Sequence, residues 1–242
     1  MLKRLSPAQL EAKSTHRDVV DGDTLAVAGQ IVARVRRDGD VALRQLATEL
    51  DGLSPDAPMR IDRAQLETAL GSIPTAQREL LERTAARIRR FAQAQLAAIG
   101  RVAIDVDGGR AGHDIAAVER AGCYAPGGRY PLPSSVLMTA VTARVAGVSE
   151  VIVASPRPAA ITLAAAAVAG ADALLPIGGA HAIAALAYGT ASIRPVDVVV
   201  GPGNRWVTAG KKLVAGQVGI DMLAGPSELC VLADDSAPVA LV

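Results

Sequence analysis

The stretch SEVIVASPRPAAITLAAAAVAGADALLPIGG, residues 149–179, decides the fold. It contains an apolar strand (SEVIVAS), a helix (AAITLAAAAVAG) and a second apolar strand (ADALLPI) before a double glycine. Strands that are apolar at every position, rather than at alternate positions, are typical of a parallel sheet covered by helices on both faces. The stretch therefore predicts a strand–helix–strand unit of an α/β protein.

The same alternation of apolar strands and short helices continues on both sides of this unit. Before it, the strand-like IAAVERAGCY leads through a glycine turn to the helical SSVLMTAVTARVAG. After it come a helix (AHAIAALAYG), a strand (VDVVV) and another helix (NRWVTAGKKLVAG). This order predicts an α/β fold with a Rossmann-like, doubly wound parallel sheet between Ile115 and Ile220.

The region before this sheet predicts a helix-rich N-terminal part of a second, incomplete α/β domain. TLAVAGQIVARVRRDGDVALRQLATELDG has apolar residues at helical spacing with a break at Gly39, and a longer helix is expected from Thr75 to Gly100. LSPDAPM between them predicts a loop, and DVDGGRAGH predicts short strands and turns. At the other end LCVLAD predicts one more strand, and we expect the sequence to stop in mid-fold at Val242.

Composition excludes several classes of function. Half of the 242 residues are hydrophobic, yet there are only one Phe, one Trp and three Tyr, so the core is expected to consist of Ala, Val, Leu and Ile. The 25 Lys and Arg nearly balance the 24 Asp and Glu, which gives no reason to expect nucleic acid or an anionic membrane as a partner. Cys123 and Cys230 form neither a disulfide framework nor a CxxC metal pair, and this favours a reducing compartment.

No membrane segment is expected. The N-terminus lacks the apolar stretch of a secretory signal. The apolar run from Ala159 to Ala187 is interrupted by Gly170, Asp172 and Pro176, whereas a membrane-spanning helix needs about 20 consecutive apolar residues. The sequence therefore predicts a soluble, cytoplasmic protein.

Three glycine-rich turns follow predicted strands: APGG (125–128), IGGA (177–180) and GPGN (201–204). Ligands of open α/β sheets bind beyond the carboxyl ends of the strands, and the helix starts that follow offer free N–H groups to phosphate oxygens. The turns together predict a nucleotide site. None of them is a GxGxxG or P-loop motif, because Trp206 stands where GPGNRW would need its third glycine.

Each polar residue at these turns also has a plain structural explanation. Asn204 directly precedes a helix, so it either caps that helix or contacts a ligand. Ser227 in AGPSE fits a turn, and Tyr124 fits a half-buried core position. His181 in PIGGAHAIAALAYG is a metal ligand, a catalytic base, a cofactor contact or a packing residue, and no second histidine or carboxylate stands at metal-ligand spacing from it in the sequence.

Several long stretches resemble the histidinol dehydrogenase family. They are GCYAPGGRYPLPSSVLMTAVTARVAGVSEVIVASPRP, GGAHAIAALAYGTASIRPVDVVVGPGNRWVTAGKKLVAGQVGIDMLAGPSELCVLADDSA and VRRDGDVALRQLATELDG. The resemblance extends along nearly the whole chain and is strongest from Gly122 to Ala237. It implies two successive NAD-dependent oxidations, from L-histidinol through the aldehyde to L-histidine, the last steps of histidine biosynthesis. It also implies a homodimer with one zinc in each active site.

The resemblance implies a split domain layout and a set of binding residues. Residues 118–224 would be an inserted NAD-binding domain, with residues 1–117 and 225–242 belonging to the other domain. Tyr124 and Asn204 match NAD contacts of the family, and Ser227 matches a substrate contact. His181 stands where the family has an NAD-contact glutamine, and imidazole can also donate or accept a hydrogen bond.

By the same resemblance, the zinc ligands and the glutamate–histidine acid/base pair fall after Val242. We therefore expect no catalytic residue and no metal ligand within these 242 residues, and we expect the isolated chain to be inactive. Two alternatives stay open. One is a non-catalytic remnant that binds a nucleotide or a partner subunit, and the other is a related alcohol dehydrogenase with another substrate, which His181 favours.

Overall fold

A computed structural model describes residues 19–127 and 130–224 of the chain. The predicted strand LCVLAD and Ser227 lie outside the described residues. Within them, a six-stranded sheet has the order β1–β6–β5–β4–β7–β8, and β4 to β8 are mutually parallel. The bounds are β1 Ile61–Asp62, β4 Arg120–Tyr124, β5 Glu150–Ala154, β6 Ala173–Leu175, β7 Val198–Val200 and β8 Gly219–Ile220. The prediction of an α/β fold with a mostly parallel sheet is confirmed.

The strand order places a crevice at the centre of the sheet. From β4 the chain winds outward through β5 to β6, and it then returns to place β7 on the opposite side of β4. The crossovers after β4 and after β6 therefore leave in opposite directions. The strand order reverses between β4 and β7, and such a switch point opens a crevice at the carboxyl ends of the two strands.

Helices cover both faces of the sheet. One face carries α1, α6 and α7, and the other carries α2 to α5. Each face forms an apolar core in which alanine is frequent, as expected from the scarcity of aromatic residues. The helices are α1 Gly22–Leu46, α2 Arg63–Ser72, α3 Thr75–Ala97, α4 Pro133–Val145, α5 Ala160–Ala169, α6 Gly179–Tyr188 and α7 Arg205–Val214.

The first helix bends where the sequence predicts a break. Gly39 in α1 has φ 55° and ψ −130°, a conformation that glycine adopts without steric cost. A π-helical turn over Ala47–Asp51 then ends at Gly52, which is left-handed at φ 69°. α1 packs against α6 and α7, so the helix-rich N-terminal part contributes directly to one face of the sheet.

Two short strands and one short helix were not predicted. β1 pairs antiparallel with the edge strand β6, and β8 extends the other edge beside β7. Each has two residues, too few to give a periodic pattern. α2 has a weak apolar stripe and is defined by a capping box between Asp62 and Gln65.

A hairpin lies apart from the sheet. β2 (Val102–Val106) and β3 (Gly109–His113) pair antiparallel. This agrees with the short strands and turns that DVDGGRAGH predicts. All ten of their residues are exposed. In the described part of the chain, no helix is both long and apolar enough to cross a membrane.

The amino ends of the parallel strands are held together by ion pairs. Arg120, at the start of β4, is buried and pairs with Glu150 at the start of β5. Its guanidinium also donates to the carbonyl of Pro195 at 2.8 Å, and its backbone N–H donates to Asp197 at 2.8 Å. These bonds tie β4, β5 and the segment before β7 into one unit.

A second arginine ties β5 to the start of β6. Arg144, at the end of α4, pairs with Asp172 just before β6. Its Nε donates to the carbonyl of Gly170 at 2.8 Å. Asp172 in turn accepts the backbone N–H of Val151 at 2.8 Å. The polar groups at this edge of the sheet are therefore bonded to one another.

Candidate functional site

A cavity of about 390 Å³ lies at the carboxyl edge of the sheet, beside the point where the strand order reverses. Its volume is within the range of about 300–1,000 Å³ that is usual for small-molecule sites. Val27 and Ile31 of α1 form an apolar wall. The polar and aromatic lining residues are Asp51, Tyr124, Arg157, His181, Asn204 and Trp206.

The GPGN turn after β7 is fixed by a buried lysine. Lys211 Nζ donates to the carbonyl of Gly201 at 2.5 Å and to Asp221 at 2.5 Å, and Asp221 also accepts the N–H of Gly201 at 2.7 Å. Gly201 has φ 113°, and a Cβ there would stand 2.0 Å from the carbonyl oxygen of Tyr124. Only glycine allows the turns after β4 and β7 to approach this closely.

Asn204 caps α7. Its side-chain oxygen accepts the backbone N–H groups of Trp206 at 3.0 Å and of Val207 at 3.2 Å. The side chain also lines the cavity and is exposed. Both roles expected from the sequence are therefore compatible, because the cap uses the oxygen and leaves the amide N–H groups for other partners.

Tyr124, at the end of β4, is 2 % exposed and forms part of the cavity wall. Its hydroxyl oxygen accepts the N–H of Gly179 at 3.2 Å. Burial raises the pKa of the phenol to about 12, with the nearby Asp51 carboxylate acting in the same direction and the Gly179 N–H opposing. The hydroxyl therefore keeps its proton near neutral pH and can donate a hydrogen bond.

His181, in the first turn of α6, is bonded to a carboxylate far away in the sequence. Its Nε2 lies 2.8 Å from Asp51 Oδ2, which also accepts the N–H of Gly178 at 2.9 Å. His181 is 1 % exposed, and Asp51 is buried as well. Nδ1 of the imidazole is buried without a hydrogen-bond partner among the described residues.

Arg157 follows β5 between two prolines and lies at the rim of the cavity. Its φ of 47° is the left-handed conformation, which costs a non-glycine residue about 1–3 kcal/mol. Within residues 19–127 and 130–224, no carboxylate pairs with its guanidinium. A strained, exposed cation at a cavity rim is suited to an anionic ligand group.

Comparison with known proteins now decides the family. The family model for histidinol dehydrogenase matches residues 14–242.

The chain belongs to the histidinol dehydrogenase family.

Similar proteins are named histidinol dehydrogenase in bacteria and archaea. The chain is 48% identical over 219 residues to the one from Bordetella parapertussis, which covers 88% of this chain and 49% of that protein. It is 48% identical over 242 residues to the one from Natronomonas pharaonis, covering 98% of this chain and 56% of that protein. The crystal structure of histidinol dehydrogenase from Elizabethkingia anophelis aligns with a TM-score of 0.80 at 25% identity, over 92% of this chain and 52% of the other. The chain spans about half the length of these relatives.

Three of the four site residues expected from the family resemblance meet at one cavity. Tyr124 ends β4, His181 lies in the first turn of α6 after β6, and Asn204 precedes α7 after β7, and all three line the same space. The fourth, Ser227, lies outside the described residues. No group of three or more His, Cys, Asp or Glu side chains that would suit a metal ion occurs in the described ranges.

Two cavity residues were missed at the level of sequence. Asp51 lies four residues after Ala47 and eight after Leu43, so it continues the buried stripe of α1. A carboxylate on the buried side of a helix is unusual, and this position could have indicated a functional residue. Arg157 could have been noticed only from its position, because it follows a predicted strand and ligands bind near the carboxyl ends of such strands. Neither signal identifies a contact with a residue on another element.

Proposed function

We propose that the protein oxidises L-histidinol to L-histidine with NAD through the aldehyde, and that this chain supplies the NAD pocket. The observation that carries the proposal is the convergence of Tyr124, His181 and Asn204 on one cavity. They are far apart in sequence, and by the resemblance they occupy positions of cofactor contacts, with His181 in place of the family's glutamine. On this proposal residues 118–224 act as a Rossmann-like NAD-binding domain, and Ser227 contacts the substrate.

The described residues suit a dinucleotide. The residues of this cavity would hold NAD, which would supply the acceptor for a hydride from the substrate carbon. The apolar wall of Val27 and Ile31 offers a hydrophobic contact on one side of the cavity, and the half-buried indole of Trp206 offers a surface for ring stacking. Arg157 lies where an anionic phosphate group would gain a charge-assisted hydrogen bond.

Two polar side chains would orient the dinucleotide. The Tyr124 hydroxyl donates to an acceptor on the ligand, because its oxygen already accepts the Gly179 N–H and its proton is left over. The amide N–H groups of Asn204 donate in the same way, because the side-chain oxygen is taken by the start of α7. Fixed donors of this kind set the orientation of a ligand more than they add affinity.

Zinc and the subunit arrangement are proposed from the family resemblance alone. The described residues include no group of three or more His, Cys, Asp or Glu side chains that could hold the zinc. A cytoplasmic homodimer with the partner completing each active site is proposed on the same ground.

The test is calorimetric titration of the chain with NAD. Asn204→Ala is expected to weaken binding by about tenfold if an amide N–H contacts the ligand, since one hydrogen bond contributes about 0.5–1.5 kcal/mol. Asn204→Asp is the matched control, because aspartate caps a helix as well as asparagine but has no N–H to donate. At high salt, where the charge of the aspartate is screened from the phosphates of NAD, a contact to NAD weakens both variants, whereas a purely structural cap weakens only the alanine variant.

Equal NAD affinity in the parent chain and in Asn204→Ala would remove Asn204 from the site. Histidinol-dependent NADH formation by the complete protein tests the reaction itself. Binding of NAD without NADH formation would support the non-catalytic alternative, and turnover of another alcohol in preference to histidinol would support a related dehydrogenase.

A further inference from the structure

Asp51 determines which nitrogen of His181 carries the proton. Asp51 Oδ2 receives two hydrogen bonds, from the backbone N–H of Gly178 at 2.9 Å and from His181 Nε2 at 2.8 Å. A backbone N–H can only donate, and a carboxylate oxygen can only accept. The proton that joins the imidazole to Asp51 is therefore on Nε2, and in the neutral imidazole Nδ1 then presents a lone pair.

That lone pair is unused within the described residues. Nδ1 is fully buried and has no hydrogen-bond partner there. A buried polar atom without a partner is destabilising and rare in native structures, so a ligand that supplies the missing hydrogen bond would account for it.

The residue beside Nδ1 is a glycine. Gly179 has φ 59°, and a Cβ at this residue would stand 3.5 Å from His181 Nδ1, with only imidazole atoms within 4 Å when the neighbours of Gly179 in the chain and the backbone of its own helix are set aside. Gly179 also lines the cavity. A ligand atom close to that empty position would be near hydrogen-bond distance of Nδ1.

The other groups around the cavity leave Nδ1 a distinct role. Tyr124 and Asn204 have spare donors, and Arg157 brings a positive charge. Among the polar side chains named for this cavity, His181 is the one that presents a nitrogen acceptor, at Nδ1. The lone pair of that nitrogen repels the oxygens of a phosphate. A hydroxyl or amide N–H of the ligand is the partner that fits it.

We propose that Asp51 is a positioning residue that holds His181 Nδ1 as an acceptor for a hydroxyl or amide N–H of the bound dinucleotide. The inference rests on the proposed function, because it takes the nucleotide to occupy this cavity. The chemical groups that fit are a ribose hydroxyl and the nicotinamide carboxamide.

The direct test is ring-nitrogen NMR of the ¹⁵N-histidine-labelled chain, which contains three histidines. The His181 spectrum is expected to show the Nε2–H form before NAD is added. Saturating NAD is expected to shift the Nδ1 resonance and to leave the exposed His113 unchanged. ADP-ribose as a second probe distinguishes the sources, since it keeps the ribose hydroxyls and lacks the carboxamide.

Two variants of Asp51 test the positioning role. Asp51→Asn keeps an oxygen that accepts from Gly178 and His181, so the Nε2–H form persists and NAD affinity is expected to stay within about threefold of the parent. Asp51→Leu removes the acceptor, so the imidazole proton is no longer held on Nε2. NAD affinity is expected to fall by about tenfold or more. A role of Asp51 in folding alone predicts that the affinity of the folded leucine variant equals that of the parent.

The possible failures are distinguishable. If NAD binds calorimetrically and the Nδ1 resonance of His181 does not move, the inference is wrong while the proposed function stands. An Nδ1–H form in the free chain would also overturn it. Absence of NAD binding overturns the proposed function and this inference with it.

Discussion

The two edges of the parallel sheet use charged and polar residues in opposite ways. At the amino edge, Arg120 and Arg144 are joined to carboxylates and to backbone carbonyls of the chain itself. At the carboxyl edge, Arg157 has no carboxylate partner among the described residues, and His181 Nδ1 has no partner there at all. The same residue types therefore hold the fold together at one edge and remain available to a ligand at the other.

The difference shows how to separate structural from functional polar residues in such a sheet. Burial does not separate them, since Arg120 and His181 are both buried. What separates them is whether each donor and acceptor is satisfied by the chain. Substitutions of groups that the chain itself satisfies should change stability, and substitutions of groups that it leaves unsatisfied, such as Arg157, should change ligand affinity.

The largest effect is expected at the amino edge. Arg120→Met is expected to lower the free energy of unfolding by about 3 kcal/mol, because it removes a buried guanidinium that bonds Glu150 and the carbonyls of Arg194 and Pro195. Urea denaturation followed by circular dichroism measures it. Arg83→Met on α3 is the control, since its pair with Glu79 is 3.5 Å long and exposed, and its cost is expected to be about 1 kcal/mol or less. An equal loss of unfolding free energy in the two variants would show that Arg120 contributes no more to stability than an exposed arginine.

The next effect concerns the dependence of stability on pH at the carboxyl edge. The pKa of Tyr124 is raised from 10 to about 12 by burial, so the folded protein holds the proton between these values while the unfolded chain releases it. Stability is therefore fully present below pH 10, and about 3 kcal/mol of it is lost as pH rises through 12.

Tyr124→Phe is expected to remove this loss of stability. The measurement is urea denaturation between pH 9 and 12, with Tyr188→Phe as the control at a half-buried tyrosine. Burial also raises the pKa of the Cys123 thiol to about 12, so both the parent and the variant lose stability over part of this range. The prediction fails if the parent and Tyr124→Phe curves are parallel.

The smallest change in stability is expected at the cavity rim. Arg157→Gly removes the strain of the left-handed conformation, which stabilises the folded protein, and it gives the unfolded chain more conformational entropy, which destabilises it. These effects oppose each other, so the free energy of unfolding is expected to change by about 1 kcal/mol or less. NAD affinity is expected to fall, and to fall more at low salt than at high salt, because a cation near a phosphate is screened by ions.

Arg101→Gly on the hairpin segment provides the comparison for that variant, since Arg101 is exposed and pairs with Asp114 away from the cavity. Titration of each variant with NAD at two salt concentrations measures the effect. A stability loss in Arg157→Gly as large as that in Arg120→Met would mean that Arg157 belongs with the structural arginines.

The succession of elements from β4 to α7 was predictable from the sequence, for a physical reason. Strands buried on both faces are apolar throughout, and glycines such as Gly170 and Gly189 end the helices between them. The break at Gly39 was predictable in the same way. The two-residue strand β1 was not, because its conformation depends on the edge of β6 that it covers.

The site was predictable only in part. The resemblance indicated Tyr124, His181 and Asn204, and strand topology explains why they meet. The bond between His181 and Asp51 was not predictable, because it joins residues 130 positions apart on two elements whose packing the sequence does not state. The separation of 118–224 as a domain stays a proposal, since no observation tests it.

The position of α1 has a consequence for modularity. α1 supplies the apolar wall of the cavity, and the turn after it supplies Asp51, although both precede the parallel sheet in the chain. A fragment beginning at residue 118 would expose the apolar faces of α6 and α7 and would leave Gly178 and His181 without their acceptor. The cavity is thus not carried by the parallel sheet alone, and chimaeras between family members need to exchange the N-terminal helix and the sheet together.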